Sequence, residues 1–291
     1  MAINKSMRRV LKALSFDGIE VEASRHLANL KAIDPMKIFH KTIDYKIYNG
    51  NHQIPVRIFL PGEKMEDDLP VFLFFHGGGW VTESIDNYER ICARLASATD
   101  HIVVSVEYRL APEHPYPAAC EDAMKAWDYL MLLGYGARDV IITGDSAGGN
   151  LALSLVLKLK EQERLFPRGI VLMSPWTDLT GEGKTFQTKA ELDPVLDKEY
   201  IDRMTRAYAP DRDLTDPYIS PLFGNFHGFP PVYIQVGENE ILLDDSLRLY
   251  KNLIKAGVAA HIDRFPGMWH VFQMSPFKKA SEAMDKNAEF I

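Results

Sequence analysis

A regular alternation of short apolar runs with amphipathic stretches restricts this chain to a small set of folds. Consecutive apolar residues indicate strands buried on both faces, and a 3.6-residue period between them indicates helices. The strand candidates are VFLFFH at 71–76, HIVVSVEY at 101–108, DVIITG at 139–144, GIVLMS at 169–174, PVYIQVG at 231–237 and HIDRFP at 261–266. The helix candidates lie near 87–98, 118–133, 147–164, 245–256 and 277–290. This alternation predicts a mostly parallel sheet with helices on both faces.

Three segments depart from the alternation. IDYKIY and IPVRIFLP flank NGNHQ, in which Asn49-Gly50 predicts the turn of a β-hairpin. Residues 3–40 carry apolar side chains at helical spacing, interrupted by Pro35. The charged segment 181–213 has a helical pattern and no strand. We expect it to be an insertion that lies over the strand ends as a lid.

Charge and composition exclude several classes of protein. The 291 residues include 33 basic and 40 acidic side chains, a net charge of -7 that argues against a nucleic-acid partner. No run approaches the roughly 18 apolar residues of a membrane span, and the first residues lack a signal peptide's apolar core. We therefore expect a cytoplasmic protein without stable membrane insertion. Cys92 and Cys120 lack metal-type spacing, so no metal site or disulfide framework is expected.

One serine stands among small residues in ITGDSAGGNL, at 142–151. The sequence GDSAG fits the pattern G-x-S-x-G, with a predicted strand before it and a predicted helix after it. Small neighbours allow Ser146 to occupy a sharp strand-to-helix turn, and the N–H groups at the start of the helix favour developing negative charge. The alternative interpretation is a polar turn. The flanking elements favour a nucleophile.

Three consecutive glycines follow another predicted strand in FFHGGGW, which ends at Trp80. A simple turn needs only one glycine, whereas several let backbone N–H groups approach a ligand oxygen closely. We assign the N–H groups of Gly77 and Gly78, with that of Ala147, to an oxyanion hole, and His76 to support of the loop. The alternative, a phosphate-binding loop, lacks the G-K-[ST] ending and the G-x-G-x-x-G spacing.

A serine nucleophile needs a base and a carboxylate that orients the base, and at such elbows the acid and then the histidine follow the serine along the chain. That order leaves His227, His261 and His270. We choose His270 because it lies on a loop after the last predicted strand. Glu240 lies on the loop after PVYIQVG and is our choice of acid. Asp244 is the second choice, because it precedes a helical pattern and a helix-capping role explains it without catalysis.

These motifs together resemble the bacterial hormone-sensitive lipase family of α/β-hydrolase-fold esterases. The resemblance covers the chain from about residue 41 to its end, through HGGGW at 76–80, EYRLAPEHPYPAA at 107–119, GDSAGGN at 144–150, SPWTDL at 174–179 and SPL at 220–222. It implies catalytic roles for Ser146 and His270 and an oxyanion loop at Gly77 and Gly78. The family's acid is usually the first Asp of D-x-L-x-D-[ED]. Here EILLDD carries Glu240 instead, with the same charge on a longer side chain.

The resemblance also implies the α/β-hydrolase fold, a mostly parallel eight-stranded sheet with helices on both faces and a small helical cap. The catalytic core would comprise 41–180 and 214–291, and the cap 1–40 and 181–213. The implied activity is hydrolysis of short- to medium-chain acyl esters of small molecules through an acyl-enzyme, without metal or organic cofactor. The resemblance further suggests a homodimer surface on the last helix and the strand before it.

Three alternatives stay open on the sequence. An amidase or a specialised deacetylase would use the same triad, and a receptor would use the same fold without chemistry. Plant gibberellin receptors resemble the family but lack the catalytic histidine, whereas His270 is present here.

Trp80 and Trp176 follow strands at the catalytic end, so they either line the substrate pocket or belong to the core.

Overall fold

The computed structural model describes residues 41–50, 52–61 and 70–290. The helix predicted at 3–40 therefore lies outside the described residues, as does that part of the predicted cap. Within these ranges eight strands form one sheet in the order β1-β2-β4-β3-β5-β6-β7-β8. The strands are β1 (Thr42–Asn49), β2 (His52–Phe59), β3 (Val71–Phe75), β4 (Ile102–Val106), β5 (Val140–Asp145), β6 (Gly169–Met173), β7 (Val232–Gly237) and β8 (Ala260–Phe265).

Strand direction follows the predicted pattern. β1 and β2 pair antiparallel as the hairpin, with Asn49 opposite His52 at its turn, and β2 runs antiparallel to β4. All pairs from β4 through β8 are parallel. The predictions of an eight-stranded, mostly parallel sheet and of the hairpin are confirmed. β8 lies at one edge, and the predicted dimer surface on β8 and the last helix stays a prediction.

Seven α-helices connect or follow the strands in the described ranges. They are α1 (Glu89–Thr99), α2 (Ala118–Leu132), α3 (Ser146–Glu161), α4 (Thr185–Thr188), α5 (Lys198–Tyr208), α6 (Leu243–Lys255) and α7 (Lys278–Phe290). The helices predicted near 87–98, 118–133, 147–164, 245–256 and 277–290 are confirmed within a few residues at each end. None of the helices in the part of the chain that the structure describes has the length and apolar character that a membrane crossing requires.

The central strands are buried on both faces because successive side chains point to opposite sides of the sheet. On β3, Leu73 and Phe75 join the apolar cluster that includes side chains of α2, α3 and α6. Phe72 and Phe74 join a second cluster that includes side chains of α1 and α7. Each face of the sheet therefore has its own helical cover, as the uninterrupted apolar runs predict.

The segment 181–213 contains the helices α4 and α5 and no strand. The predicted helical character of this insertion is confirmed. Met204 of α5 packs closely over the glycine loop, since a Cβ built on Gly79 would lie 2.7 Å from the Met204 Cγ atom. The backbone N–H of Tyr116 donates to the carbonyl of Tyr208, the last residue of α5. These contacts fix α5 beside the loop that follows β3.

Candidate active site

The carboxyl ends of four adjacent parallel strands carry the polar residues of the site. The order β5-β6-β7-β8 places the carboxyl ends of these parallel strands side by side. Ser146 follows β5, Ser174 follows β6, Glu240 follows β7 and His270 follows β8. This end of the strands is where open α/β sheets gather ligands and catalytic groups. The topology therefore brings together residues that are far apart in the sequence.

Ser146 occupies a strained turn at the junction of β5 and α3. Its φ is 51°, in the left-handed region that costs a residue with a side chain about 1–2 kcal/mol. Its carbonyl accepts a hydrogen bond from the N–H of Trp176 at 3.0 Å, which fixes the turn against the loop after β6. The serine side chain is nearly buried, with 7% of the residue's surface exposed. Backbone strain of this kind is characteristic of functional positions.

Gly148 permits the close approach that this turn requires. A Cβ built on Gly148 would lie 2.0 Å from the Phe75 carbonyl oxygen and 2.5 Å from that of His76. Both are backbone atoms at the end of β3, so they cannot move aside without displacing the glycine loop. The small residues of GDSAG thus hold α3 directly against the strand that carries the second motif.

We expect Gly148→Ala to lower the free energy of unfolding by about 3 kcal/mol through this overlap. Helix propensity alone would predict a gain of up to about 1 kcal/mol. Gly228→Ala is the control, because its Cβ would meet no atom within 4 Å and only its φ of +77° is unfavourable. Urea denaturation measures both variants. Equal losses in the two would show that crowding at Gly148 is not the cause.

Glu240 and His270 form a buried pair. His270 Nδ1 lies 2.6 Å from Glu240 Oε2. The other carboxylate oxygen, Oε1, accepts hydrogen bonds from the Gly237 N–H at 2.8 Å and from the Ser174 hydroxyl at 3.0 Å. The Ser174 hydroxyl in turn accepts a hydrogen bond from the N–H of Val271, the residue after the histidine. Both side chains of the pair are thereby oriented by backbone and hydroxyl partners.

The alternative acid, Asp244, lies elsewhere. It occupies the first turn of α6, and its Oδ2 accepts a hydrogen bond from the N–H of Lys184 in the insertion. Its neighbour Asp245 is buried and accepts from the N–H groups of Thr177 and Asp178. Burial raises the pKa of Asp245 to about 8. Both carboxylates therefore have backbone partners away from the imidazole.

The other candidate histidines are exposed. His227 Nδ1 lies 3.1 Å from the Ala256 carbonyl, and His261 Nε2 lies 3.3 Å from Asp263 Oδ1 on β8. Neither is paired with a buried carboxylate. Among the histidines that follow the serine in the chain, the structure gives His270 alone such a partner within the described residues.

The charges around His270 favour its protonated form. Burial by itself lowers the pKa of an imidazole, but the hydrogen bond and charge of Glu240 outweigh it, with further contributions from Asp193 and Asp145. The net result is that the pKa of His270 lies above its ordinary value of 6.5. In the described residues no hydrogen bond joins the Ser146 hydroxyl to this imidazole; such contacts often tighten only with substrate bound.

A hydrogen bond of the glycine loop disagrees with one part of the predicted oxyanion hole. The Gly77 N–H donates to the Tyr88 hydroxyl at 3.1 Å, and that hydroxyl donates to Asp145 Oδ2 at 2.8 Å. The Gly77 N–H is thus engaged with a side chain behind the loop, so its assignment to the oxyanion does not fit the structure. Gly78 and Gly79 adopt φ values of 91° and 61°, which glycine accommodates without strain.

His76 supports this loop from within the core. Its Nδ1 lies 2.9 Å from the Gly77 carbonyl, and its ring stacks on that of Tyr108 with 4.3 Å between centroids. The Tyr108 hydroxyl donates to the His76 carbonyl at 2.7 Å. Burial lowers the pKa of His76 to about 4, so this imidazole is neutral at physiological pH. The contacts are those of a structural residue.

The two tryptophans are buried within an aromatic group. Trp80 has no exposed surface and Trp176 has 1%. The Trp80 ring stacks on Tyr208 of the insertion with 4.0 Å between centroids, and its centroid lies 5.1 Å from that of Trp176. This packing favours the core interpretation of both residues over the pocket interpretation.

Sequence reasoning missed three residues that support the site. Tyr88 holds the glycine loop, and Ser174 joins the acid to the histidine loop. Asp193, in the insertion, accepts a hydrogen bond from the N–H of Ile241, next to the acid. No local pattern marks Tyr88 or Asp193, and the motif SPWTDL includes Ser174 without indicating its role. Each of the three acts through a partner at least 11 residues away in the sequence. In the described ranges, no group of three or more His, Cys, Asp or Glu side chains could hold a metal ion.

Comparison with known proteins gives concordant matches. A family model described as the alpha/beta hydrolase fold matches residues 72–274. An esterase of Acinetobacter venetianus is 41% identical over 219 residues, which are 74% of this chain and 72% of that protein. An acetyl-hydrolase of Streptomyces hygroscopicus is 35% identical over 205 residues, 70% of this chain and 69% of its own. The crystal structure of an esterase from the bacterial hormone-sensitive lipase family superposes with a TM-score of 0.91 at 30% identity, covering 100% of this chain and 98% of that one.

Proposed function

Because the chain belongs to the alpha/beta hydrolase fold family, among the serine ester hydrolases of the bacterial hormone-sensitive lipase family, we propose that Ser146, His270 and Glu240 form its catalytic triad. The proposed reaction is hydrolysis of short- to medium-chain acyl esters through an acyl-enzyme. The observation that carries the proposal is the 2.6 Å contact between His270 Nδ1 and Glu240 Oε2, at the same end of the parallel strands as Ser146.

Acylation begins when His270 Nε2 accepts the hydroxyl proton of Ser146 as Oγ forms a bond to the ester carbonyl carbon. The carbonyl π electrons move onto oxygen, which becomes the oxyanion. Glu240 stabilises the imidazolium through its negative charge and because Oε2 accepts a hydrogen bond from Nδ1–H. The imidazolium then donates the Nε2 proton to the leaving alkoxide as the ester C–O bond breaks. The alcohol departs and the acyl group remains on Ser146.

The oxyanion needs donors with no other partner. We assign these to the N–H groups of Gly78, Gly79 and Ala147, in place of Gly77. The hydrogen bonds of the described residues leave the Gly78 and Gly79 N–H groups without an acceptor. Ala147 lies in the first turn of α3, where backbone N–H groups have no partner within the helix. Removing one donor from such a hole typically costs about 3 kcal/mol of transition-state stabilisation.

Deacylation repeats these steps with water as the nucleophile. His270 accepts a proton from water as the water oxygen forms a bond to the acyl carbon. The bond between the acyl carbon and Ser146 Oγ then breaks, and the imidazolium returns that proton to Oγ. The acid product leaves and the resting enzyme is restored. Every proton transfer in the cycle passes through Nε2, which is why the orientation of the imidazole by Glu240 matters.

Two observations support the preference for shorter acyl chains. Met204 packs over Gly79 of the proposed oxyanion hole, and Tyr208 stacks on Trp80, the residue after Gly79. The insertion thus fills space directly above the carbonyl-binding loop. In addition, one relative bears the name acetyl-hydrolase. A long acyl chain would have to displace these packed side chains, whereas an acetyl or butyryl group is small.

The preference is tested with p-nitrophenyl esters from acetyl to palmitoyl. We expect kcat/KM for butyrate to exceed that for palmitate at least tenfold, because each poorly placed methylene forfeits binding energy. A p-nitroanilide of the same acyl group measures amidase activity, which we expect to be much lower. Faster turnover of palmitate than butyrate would contradict the chain-length proposal, and preferential anilide hydrolysis would contradict the ester specificity.

A further inference from the structure

Side chains of the insertion form hydrogen bonds with the loop that carries the proposed catalytic acid. The Ile241 N–H donates to Asp193 Oδ2 at 2.8 Å, and the Ile241 carbonyl accepts from the Thr185 hydroxyl at 2.7 Å. The Thr185 hydroxyl also accepts from the N–H of Asp244 at 2.9 Å. Both backbone polar groups of Ile241, the residue after Glu240, are thereby bound by side chains of a segment that lies outside the sheet.

Asp193 is the charged member of this contact. Its Oδ1 accepts from the N–H groups of Val195 and Leu196 at 2.9 and 3.0 Å, in addition to the bond from Ile241 to Oδ2. The residue is buried, with 7% of its surface exposed. In the part of the chain that the structure describes, no lysine or arginine forms an ion pair with it. Among the described residues, three backbone donors and no fixed cation hold this buried carboxylate.

The charges of Asp193 and His270 act on each other, and each favours the ionised form of the other. Burial raises the pKa of Asp193 to about 6, with the charge of His270 and the three backbone N–H groups opposing that rise. The carboxylate is therefore mostly ionised at neutral pH. The charges that act on His270 are those of Glu240 after β7, Asp193 in the insertion and Asp145 at the end of β5, and all three are carboxylates that favour its protonated form.

We propose that Asp193 is a positioning residue that fixes the Glu240 loop and adds a second buried negative charge toward His270. The inference rests on the proposed triad. In the ground state Asp193 holds Ile241, and so helps to hold Glu240 at hydrogen-bond distance from Nδ1. When Ser146 transfers its proton, Asp193 adds to the stabilisation that Glu240 gives to the positive charge forming on the imidazole. The insertion therefore contributes to the proton transfer as well as to the cover of the site.

The test compares Asp193→Asn with Asp197→Asn. Asp197 is a matched control in the same insertion, because its carboxylate accepts from the Tyr200 N–H at 2.9 Å as the cap of α5. In the part of the chain that the structure describes, it forms no hydrogen bond with the acid loop. Both variants keep the shape of the side chain and lose its charge. The measurements are kcat and KM for p-nitrophenyl butyrate between pH 5 and 9, and the midpoint of thermal unfolding.

For Asp193→Asn we expect kcat to fall roughly five- to twentyfold, a fraction of what a positioned general base contributes, with KM within twofold. We expect the acid limb of the kcat/KM profile to move to lower pH. The sign follows because the base acts in its neutral form and Asp193 raises the pKa of His270, so removing that charge lowers this pKa. Asp197→Asn should lower the unfolding midpoint and leave both kcat and the acid limb unchanged.

A folded Asp193→Asn protein with the wild-type acid limb and kcat would overturn the inference, as would equal effects in Asp197→Asn. If Asp193→Asn cannot be purified, Asp193→Ser, which is also neutral and keeps an acceptor oxygen, is measured by the same criteria. Asp193→Glu retains the charge and should restore the position of the acid limb. Ser146→Ala in the same series separates the two proposals, because ester hydrolysis that survives it overturns the triad, whereas its loss leaves Asp193 to be judged alone.

Discussion

Ser146→Ala is expected to reduce kcat for ester hydrolysis by a factor of about 10³–10⁶, the range seen when the nucleophile of such a triad is removed. Without Oγ no acyl-enzyme can form, and the remaining oxyanion donors only orient the ester for attack by water. The substitution removes one oxygen atom and leaves a Cβ in the same left-handed conformation, so the strain of the turn is retained. Loss of activity should therefore occur in a folded protein.

Ser154→Ala is the matched control. Ser154 lies two turns further along the same helix and is buried, and its hydroxyl shares its one proton between the Tyr218 carbonyl and Asn150 Oδ1, each 3.1 Å away. We expect its removal to cost about 1 kcal/mol of stability, as for a typical hydrogen bond, and to leave kcat within twofold. Mass spectrometry after mixing with p-nitrophenyl butyrate should show an acyl adduct on the wild type and none on Ser146→Ala. Undiminished turnover by Ser146→Ala would refute the assigned nucleophile.

Glu240→Gln is expected to lower kcat by about 10³–10⁴, with a much smaller change in KM. A carboxamide at this position cannot stabilise the imidazolium by charge. If its NH₂ group faces the ring, it also favours the tautomer that leaves the Nε2 proton in place. Gly237 and Ser174 donate to the other oxygen of Glu240, so the amide can keep those two contacts and the fold should survive.

Asp244→Asn distinguishes the two candidate acids. Within the described residues its carboxylate accepts a hydrogen bond only from the Lys184 N–H, and the residue is partly exposed. We therefore expect kcat within about twofold and a stability loss below about 1 kcal/mol. Steady-state kinetics with circular dichroism on both variants decides the matter. Inactive Asp244→Asn beside active Glu240→Gln, with both folded, would transfer the role to Asp244.

Much of the fold follows from local patterns. The run DVIITG predicts a strand at 139–144, and β5 spans Val140–Asp145. The pattern at 147–164 predicts the helix that begins at Ser146 and ends at Glu161. These predictions succeed because burial of an apolar run on both faces, or of one face of a helix, is recorded in residues adjacent in sequence. Only the element ends shift, where capping and tertiary contacts compete.

The candidate site shows where local reasoning stops. Three successive glycines indicate backbone donors, but which N–H faces a substrate depends on Tyr88, 11 residues further along, whose hydroxyl engages Gly77. The pattern after β7 offers several carboxylates of equal charge. Glu240 is distinguished by its reach to an imidazole 30 residues away. Such distinctions depend on distances of a few tenths of an ångström between elements.

The sequence by itself determined the kind of sheet, the strained serine turn, the glycine loop and the order of the candidate catalytic residues along the chain. The sheet, the turn and the loop are encoded by the size and periodicity of side chains that are neighbours in the sequence. The tertiary structure alone decided that the Gly77 N–H is engaged by Tyr88, that Trp80 and Trp176 pack inward, and that Asp193 reaches Ile241. Hydrogen bonding and charge act over a few ångströms in space, and only the folded arrangement of the elements sets those distances.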